Sequence, residues 1–378
     1  MSKLLSGLEA EIAKTTDEVR RGELTAKKAG YLARLGSFED AQSLLQQLRS
    51  QFGEGQSPRV SIWLMLAEGL LHTFREMSDE GADRIMRANV LASATRDRAL
   101  IAATSAWRAF TQSERSEFRG MVRSLDNAFA NSNSDDHEVL ARLYMILANA
   151  RMSVGERAAA HDLYMYSRHH ALECGDQATI DALIYNKAAF SLAWLRARKA
   201  LGDDESDLLR QLRLELNSAK TYQQMVGVSA FSNFVYLWEA RLSLLADEFA
   251  PAVHALDRVR SMQPFAKYNF HESLVALETG YCLMRMNRLS EAEERVRPAL
   301  ASDLSALHDD DRLFAAWLRF KLIEAIPDLG ELPSSIDALD SAKNEFLAGC
   351  DELRAALATL GLHEHIVKPS VANQRPSP

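Results

Sequence analysis

The stretch that decides the fold is AGYLARLGSFEDAQSLLQQL, residues Ala29–Leu48. A helical pattern with small residues is interrupted by the tight turn Leu-Gly-Ser-Phe, and Glu-Asp-Ala opens a second helix. The stretch GYCLMRMNRLSEAEERVRPA, residues Gly280–Ala299, aligns with it without gaps. ANARMSVGERAAAHDLYMYS (Ala148–Ser167) and ARLSLLADEFAPAVHALDRV (Ala240–Val259) fit the same frame. The chain therefore contains internal repeats of a two-helix unit.

The composition favours helix along the whole chain. Nine prolines and 17 glycines among 378 residues fall below the average shares of these helix-breaking residues. No proline occurs in the 192 residues between Pro58 and Pro251, so only short polar or glycine-containing turns interrupt helices there. With 47% hydrophobic residues the chain has enough apolar material to form a core. These features predict an all-α protein.

The charge and the cysteines exclude several classes of protein. A formal net charge of -8 argues against a general nucleic-acid-binding surface, which needs an excess of lysine and arginine. Cys174, Cys282 and Cys350 are too few and too far apart for a disulfide framework or a metal-ligand motif. The N-terminal residues form no signal peptide, and no apolar run is long enough to cross a membrane. We expect a cytoplasmic protein that binds neither nucleic acid directly nor a membrane.

The repeated unit resembles the tetratricopeptide repeat, a pair of antiparallel helices. Gly36, Phe38 and Ala41 match that family's glycine, aromatic turn residue and small residue early in the second helix. Three other units match in part, through Gly155 with Ala160, Phe249 with Ala252, and Leu289 with Ala292. The resemblance implies a right-handed α-α superhelix of about 7–8 helical hairpins, a solenoid in which each hairpin contacts only its neighbours.

The spacing of the repeats differs from that of the family. The small residues of successive second helices are Ala41, Ala82, Gly120, Ala160, Ala252 and Ala292. Their separation is near 40 residues rather than the family's usual 34, which is similar to arrays in bacterial regulators and signalling sensors. One irregular stretch lies at residues 175–229, where an extended hairpin or a hairpin with a spare helix would fit. We predict a repeat array over residues 1–300, capping helices over 301–362 and a flexible tail over 363–378.

No standard catalytic or cofactor-binding motif is present in the sequence. Phosphate-binding glycine loops, HExxH, GxSxG and paired cysteines are all missing. The pair His169 and His170 points in directions about 100° apart on a helix and is therefore unsuited to one metal ion. The acidic runs Asp203–Glu205 and Asp309–Asp311 are most simply helix starts or solvated loops, with cation binding as the alternative. We expect no enzyme activity, no cofactor and no metal.

The resemblance places partner binding on the concave wall formed by the first helices of the hairpins. At the positions that align, this wall combines amide and guanidinium donors with aromatic side chains, a mixture common at binding hot spots. The alternative is that the apolar members pack in the core between hairpins. The candidate residues are Arg142, Asn149, Tyr185, Asn186, Lys187, Trp194, Phe234, Arg241, Tyr281 and Arg285.

Two functions are consistent with such a wall. The first is a scaffold or adaptor that binds a partner protein or peptide in the concave groove. The second is a regulator or sensor in which a peptide or small ligand changes the curvature of the array and so controls an effector. For the first we expect that substituting Arg241 and Asn149 weakens partner binding while helicity and melting stay unchanged. A second copy of the chain could pair through an exposed apolar face to give a homodimer.

Overall fold

The computed structural model describes residues 2–53, 57–76, 78–203, 207–226, 234–261, 272–305 and 307–361, and the tail expected at 363–378 lies outside them. All regular structure in these ranges is helical, which confirms the all-α prediction, and a short 3-10 helix at Pro327–Leu329 precedes the last α-helix. The α-helices are α1 Lys3–Lys14, α2 Glu18–Leu35, α3 Phe38–Phe52, α4 Pro58–Glu76, α5 Asp79–Thr95, α6 Arg98–Glu114, α7 Phe118–Asn131, α8 His137–Ser153, α9 Arg157–Cys174, α10 Gln177–Leu201, α11 Asp207–Val226, α12 Phe234–Leu245, α13 Phe249–Ser261, α14 Glu272–Arg285, α15 Leu289–Leu300, α16 Asp309–Ala325 and α17 Leu332–Ala358.

From α2 onward, consecutive helices pack together in pairs, each joined by a short connection. The pairs are α2 with α3, α4 with α5, α6 with α7, α8 with α9, α10 with α11, α12 with α13, α14 with α15, and α16 with α17. A single pair, α10 and α11, occupies the irregular stretch at 175–229, and α10 is 25 residues long. The wide interval between the small residues Ala160 and Ala252 therefore contains one helical pair whose first helix is long.

Six of these pairs share the same turn. Its central residue has a left-handed backbone conformation, and the next residue donates its N–H to the carbonyl five positions earlier, as Ser37 does to Leu32. This is the Schellman arrangement that ends many helices. The six central residues are Gly36, Ser116, Gly155, Gly202, Asp247 and Asn287. Because serine, aspartate and asparagine fill the position in three turns, the glycine signature alone reveals only the other three.

Small residues bring the two helices of a pair close together. At Gly280 in α14, an added Cβ would lie 2.1 Å from Cγ1 of Val296 in α15, far inside van der Waals contact. Val296 is completely buried, so it has no solvent-side space into which it can move. The absence of a side chain at Gly280 therefore sets the distance between α14 and α15.

Substituting Gly280 with alanine should lower the free energy of unfolding by about 1 kcal/mol or more, because overpacking outweighs the gain in helix propensity. In a Val296→Ala background the same substitution should be neutral or stabilising, since the clashing methyl group is gone. Denaturant unfolding of the four proteins of this double-mutant cycle measures the coupling. An equal loss in both backgrounds would contradict the proposed contact.

The array does not stay linear, because both ends of the chain contact its middle. At the start, the backbone N–H of Leu4 and the hydroxyl of Ser2 donate to the carbonyl of Gly175, in the turn between α9 and α10. At the other end, α17 packs on α7, and Arg354 Nη2 donates to the carbonyl of Val154 at 2.9 Å. These contacts join residues 171 to 200 positions apart. The expectation that each hairpin contacts only its neighbours is wrong for this chain, and the closure encloses a central cavity.

Candidate functional site

The central cavity has a volume of about 700 Å³ and is lined mainly by the first helices of the hairpins. Helices α2, α4, α6, α8, α10, α12, α14 and α16 all contribute side chains, and α17 covers part of the wall with Phe346, Cys350 and Leu353. A volume of 300–1,000 Å³ is typical of sites that bind small molecules.

Helix α10 forms the longest continuous part of the wall. Its lining residues recur every three or four positions, as expected for one face of a helix. They are Ala178, Thr179, Asp181, Ala182, Tyr185, Asn186, Ala189, Phe190, Ala193, Trp194 and Arg196. From Ala178 to Arg196 this face extends over about 27 Å at 1.5 Å per residue. The alanines leave room for a ligand, while the aromatic residues provide rigid apolar area.

Aromatic rings from other helices enlarge this surface. Tyr185 lies with its ring centroid 6.1 Å from that of Trp238 in α12, and Trp194 lies 6.4 Å from Phe346 in α17. Burial raises the pKa of Tyr185 well above its ordinary value, so its hydroxyl stays protonated near neutral pH. The middle of the cavity therefore combines flat apolar faces with a phenol that can donate a hydrogen bond.

One group of buried polar side chains, here called the Arg34 cluster, consists of the ion pair Arg34 and Asp176 with the hydroxyl of Thr179. Arg34 Nη2 donates to both carboxylate oxygens of Asp176, at 2.9 and 2.8 Å, and to Thr179 Oγ1 at 2.6 Å. Asp176 also accepts from the backbone N–H and the hydroxyl of Thr179, which caps the N-terminus of α10. Asp176 is completely buried, so this cluster ties α2 to α10 across 142 positions of sequence.

Arg142 in α8 lies next to this cluster but has a different environment. Its guanidinium carbon lies 3.3 Å from the centroid of the Trp107 ring, and its side chain lines the cavity. Burial and the positive charge of Arg34 hold the pKa of Arg142 well below the ordinary arginine value. The site therefore contains a buried cation whose charge its surroundings compensate poorly.

A second group, the Glu278 cluster, consists of Arg196, Arg241, Glu278 and Asp311 from α10, α12, α14 and α16. Glu278 Oε1 accepts from Arg196 Nη2 at 3.0 Å and from Arg241 Nε at 2.9 Å. Asp311 Oδ1 accepts from Arg196 Nη1 at 2.5 Å. Glu278 has no exposed surface, and both arginines are almost fully buried. Two cations and two carboxylates thus join four helices.

The carboxylates at this end of the cavity differ in their affinity for protons. Burial acts to raise the pKa of Asp311, but Arg241 and Arg196 outweigh it and bring the pKa to about 2. Burial and the adjacent Asp311 instead raise the pKa of Asp310. The pKa of Glu114 is also raised, because the cavity walls restrict its solvation and His308 offsets only part of this effect. Asp310 and Glu114 therefore hold a proton more readily than Asp311 does.

No protein-family model and no curated protein matches this chain. Within the described ranges, no three or more histidine, cysteine, aspartate or glutamate side chains are arranged to hold a metal ion. Nor does the described part of the chain contain a helix with the length and apolar character needed to cross a membrane.

The cavity brings together six of the ten residues predicted to bind a partner. These are Arg142, Asn149, Tyr185, Asn186, Trp194 and Arg241. Asn149 is buried, and its Oδ1 accepts a hydrogen bond from the Tyr164 hydroxyl at 2.9 Å, which orients the amide. Arg241 belongs to the buried Glu278 cluster, so we now expect its substitution to lower stability rather than to leave melting unchanged.

Three of the remaining four predicted residues, Lys187, Tyr281 and Arg285, are not among those that line the cavity. Lys187 Nζ lies 2.9 Å from Glu215 Oε1 and so joins α10 to α11. Tyr281 is buried against Trp317 at a centroid distance of 5.1 Å, and Arg285 Nη1 donates to its hydroxyl at 2.7 Å. The side chain of Phe234 lies outside the described residues.

Sequence reasoning predicted Arg142 and Arg241 but missed the other charged residues that line the cavity, above all Arg34, Arg196 and Asp311, as well as the hydroxyl of Thr179. The acidic run Asp309–Asp311 forms the first turn of α16, as one reading of the sequence had it. Its pairing with Arg196, 115 positions away, leaves no local pattern in the sequence. A detectable signal was the stripe of alanine and aromatic residues along α10, whose small members lie where a core helix would place bulky ones.

Proposed function

We propose that this protein is a non-enzymatic binding protein, a tetratricopeptide-like superhelix that holds an extended peptide segment of a partner in its central cavity. The observation that carries the proposal is the lining of α10, which presents one continuous face of small, aromatic and amide side chains over about 27 Å. An extended chain covers about 3.3 Å per residue, so this face matches a peptide of about eight residues.

The side chains of the cavity fit the chemistry of a peptide backbone. Asn149 and Asn186 supply amide groups that can donate to carbonyls and accept from N–H groups. Tyr185 and Trp194 supply flat apolar area on which peptide side chains can pack. The ion pairs of the Arg34 and Glu278 clusters join the helices that carry these groups and so hold the groups in position.

A second function is supported by the closure of the array. The Arg34 cluster and the contacts of α17 hold distant helices together around the cavity, so a bound peptide would contact elements on both sides of these connections. A ligand that binds the closed form more tightly than an open form shifts the population toward the closed form. In this way the protein would act as a peptide-responsive regulator that presents a different outer surface to an effector.

Filling the cavity tests the proposal. The variant Ala189→Trp places an indole in the middle of the α10 face, whereas Ala159→Trp places one on the exposed side of α9 as a matched control. We expect the wild type and Ala159→Trp to retain peptides from a pool of random octapeptides during rapid gel filtration, with mass spectrometry as the readout. Ala189→Trp should retain at least tenfold less. Equal retention by the two variants would contradict binding in the cavity.

A further inference from the structure

Arg142 differs from the other buried arginines that line the cavity. Arg34 is paired with Asp176, and Arg196 and Arg241 are paired with Glu278. For Arg142, the described part of the chain provides neither a hydrogen bond nor an ion pair, and its Nη2 is buried without an acceptor. Only 4% of the residue is exposed. A nearly buried guanidinium therefore faces the cavity with its donors unused.

The carboxylates near Arg142 already have other partners or lie closer to Arg34. Asp176 already accepts from Arg34 through both oxygens and from Thr179 through its backbone N–H and hydroxyl. Glu138 is half exposed and lies 4.0 Å from Arg34. A buried charge without a partner is costly, and here Arg34 adds repulsion between two cations. An anion supplied from outside would relieve both effects.

We propose that Arg142 anchors a singly charged carboxylate group of the bound peptide, an inference that rests on the proposed peptide-binding function. The planar guanidinium matches the two oxygens of a carboxylate. A doubly charged phosphate fits less well, because Asp176 and Glu138 lie close by and, among the described arginines that line the cavity, Arg142 alone has no ion pair.

The charge of the rest of the cavity supports this location. Glu114 and Asp310 also line the cavity, and the described residues provide neither of them with an ion pair. Restricted solvation raises the pKa of both carboxyl groups, so a further carboxylate beside them would be disfavoured as well. A carboxylate of the peptide is therefore favoured near Arg142, and a positive group of the peptide near Glu114 and Asp310.

Three peptide pools test the proposal on the full chain. The first contains random octapeptides without aspartate or glutamate and with a free C-terminal carboxylate, the second is the same pool with amidated C-termini, and the third is amidated but contains aspartate. After rapid gel filtration we expect at least tenfold greater retention from the first or third pool than from the second. Enrichment from the first pool alone identifies the terminal carboxylate as the anchored group, and enrichment from the third identifies a side-chain carboxylate.

Equal retention from all three pools would overturn the carboxylate site while leaving peptide binding in place. Retention from none of them would overturn this inference and the proposed function together. The three pools thus separate failure of the anchor from failure of the cavity as a peptide site.

Two variants assign the preference to Arg142 itself. Arg142→Met should abolish the difference between the first two pools and raise Tm without ligand by about 2 °C, because a buried unpaired charge is removed while methionine still packs on Trp107. Lys187→Met, which removes a cation paired with Glu215 outside the cavity lining, should leave the pool preference unchanged. A preference that survives in Arg142→Met, or a Tm that falls in this variant, would contradict the assignment.

Discussion

Replacing Glu278 with glutamine should lower the free energy of unfolding by about 3–5 kcal/mol, the usual cost of removing one member of a buried ion pair. Glu278 is completely buried and accepts from Arg196 and Arg241 through the same oxygen. Glutamine keeps the shape and one acceptor oxygen but removes the charge, which leaves two buried arginines with Asp311 as their nearest anion. Denaturant unfolding followed by circular dichroism measures the loss.

The helices that lose stability in Glu278→Gln are as informative as the loss in the free energy of unfolding. The Glu278 cluster joins α10, α12, α14 and α16, so amide hydrogen exchange should increase in these helices and remain nearly unchanged in α2 and α3. Glu272→Gln is the matched control, because Glu272 begins the same helix but its side chain is 81% exposed. A change of less than about 1 kcal/mol in Glu278→Gln would contradict a central role of this cluster in stability.

The helical hairpins could be predicted from the sequence because their signals are local. The turn residue Gly36 and the small residue Ala41 in the first turn of the next helix lie within a few residues of each other. The same order of turn residue and small residue recurs near Gly155, Phe249 and Leu289. Helical periodicity then extends each unit in both directions. The hairpin of α6 and α7 was harder to recognise, because Ser116 replaces the turn glycine and Met121 stands where the other units have a small alanine.

The closure of the array could not be predicted in the same way. It depends on Arg34 meeting Asp176 and on Arg354 reaching the carbonyl of Val154, contacts between residues that share no sequence pattern. Charged residues are mostly exposed, so a single arginine or aspartate in a helical sequence is most simply placed on the surface. For this reason the aromatic and amide residues of the cavity were predicted together with Arg142 and Arg241, whereas Arg34, Asp176 and Arg196 were not.

Closure also changes what the protein can do with a ligand. An open solenoid offers an extended concave surface that solvent reaches along its whole length. Here α17 covers part of the cavity wall, so part of the water around a ligand is excluded and hydrogen bonds to it gain in strength. Binding and closure therefore depend on the same contacts.

Replacing Asp176 with asparagine is the second substitution with a large expected effect, again a loss of about 3–5 kcal/mol in the free energy of unfolding. Asp176 is the carboxylate partner of Arg34, and it also compensates part of the charge of Arg142. Asparagine retains an oxygen that can cap α10 through the N–H of Thr179, so the loss reports mainly on charge. Hydrogen exchange should increase in α1, α2 and the start of α10, and not in α14 and α16.

The dependence of stability on pH provides an independent measurement on the same residue. Burial alone would raise the pKa of Asp176, but Arg34 and Arg142 outweigh it and hold the pKa below its ordinary value. A carboxyl with a depressed pKa contributes stability at pH values above the pKa of the unfolded chain, about 3.9, and loses that contribution as the pH falls further. The wild type should therefore lose stability steeply below about pH 4, and Asp176→Asn less steeply, because one of the responsible groups no longer titrates. Asp311, with a pKa of about 2, remains in both proteins and accounts for the slope that is left. Parallel pH profiles for the two proteins would show that the Arg34 cluster does not hold the closed form together.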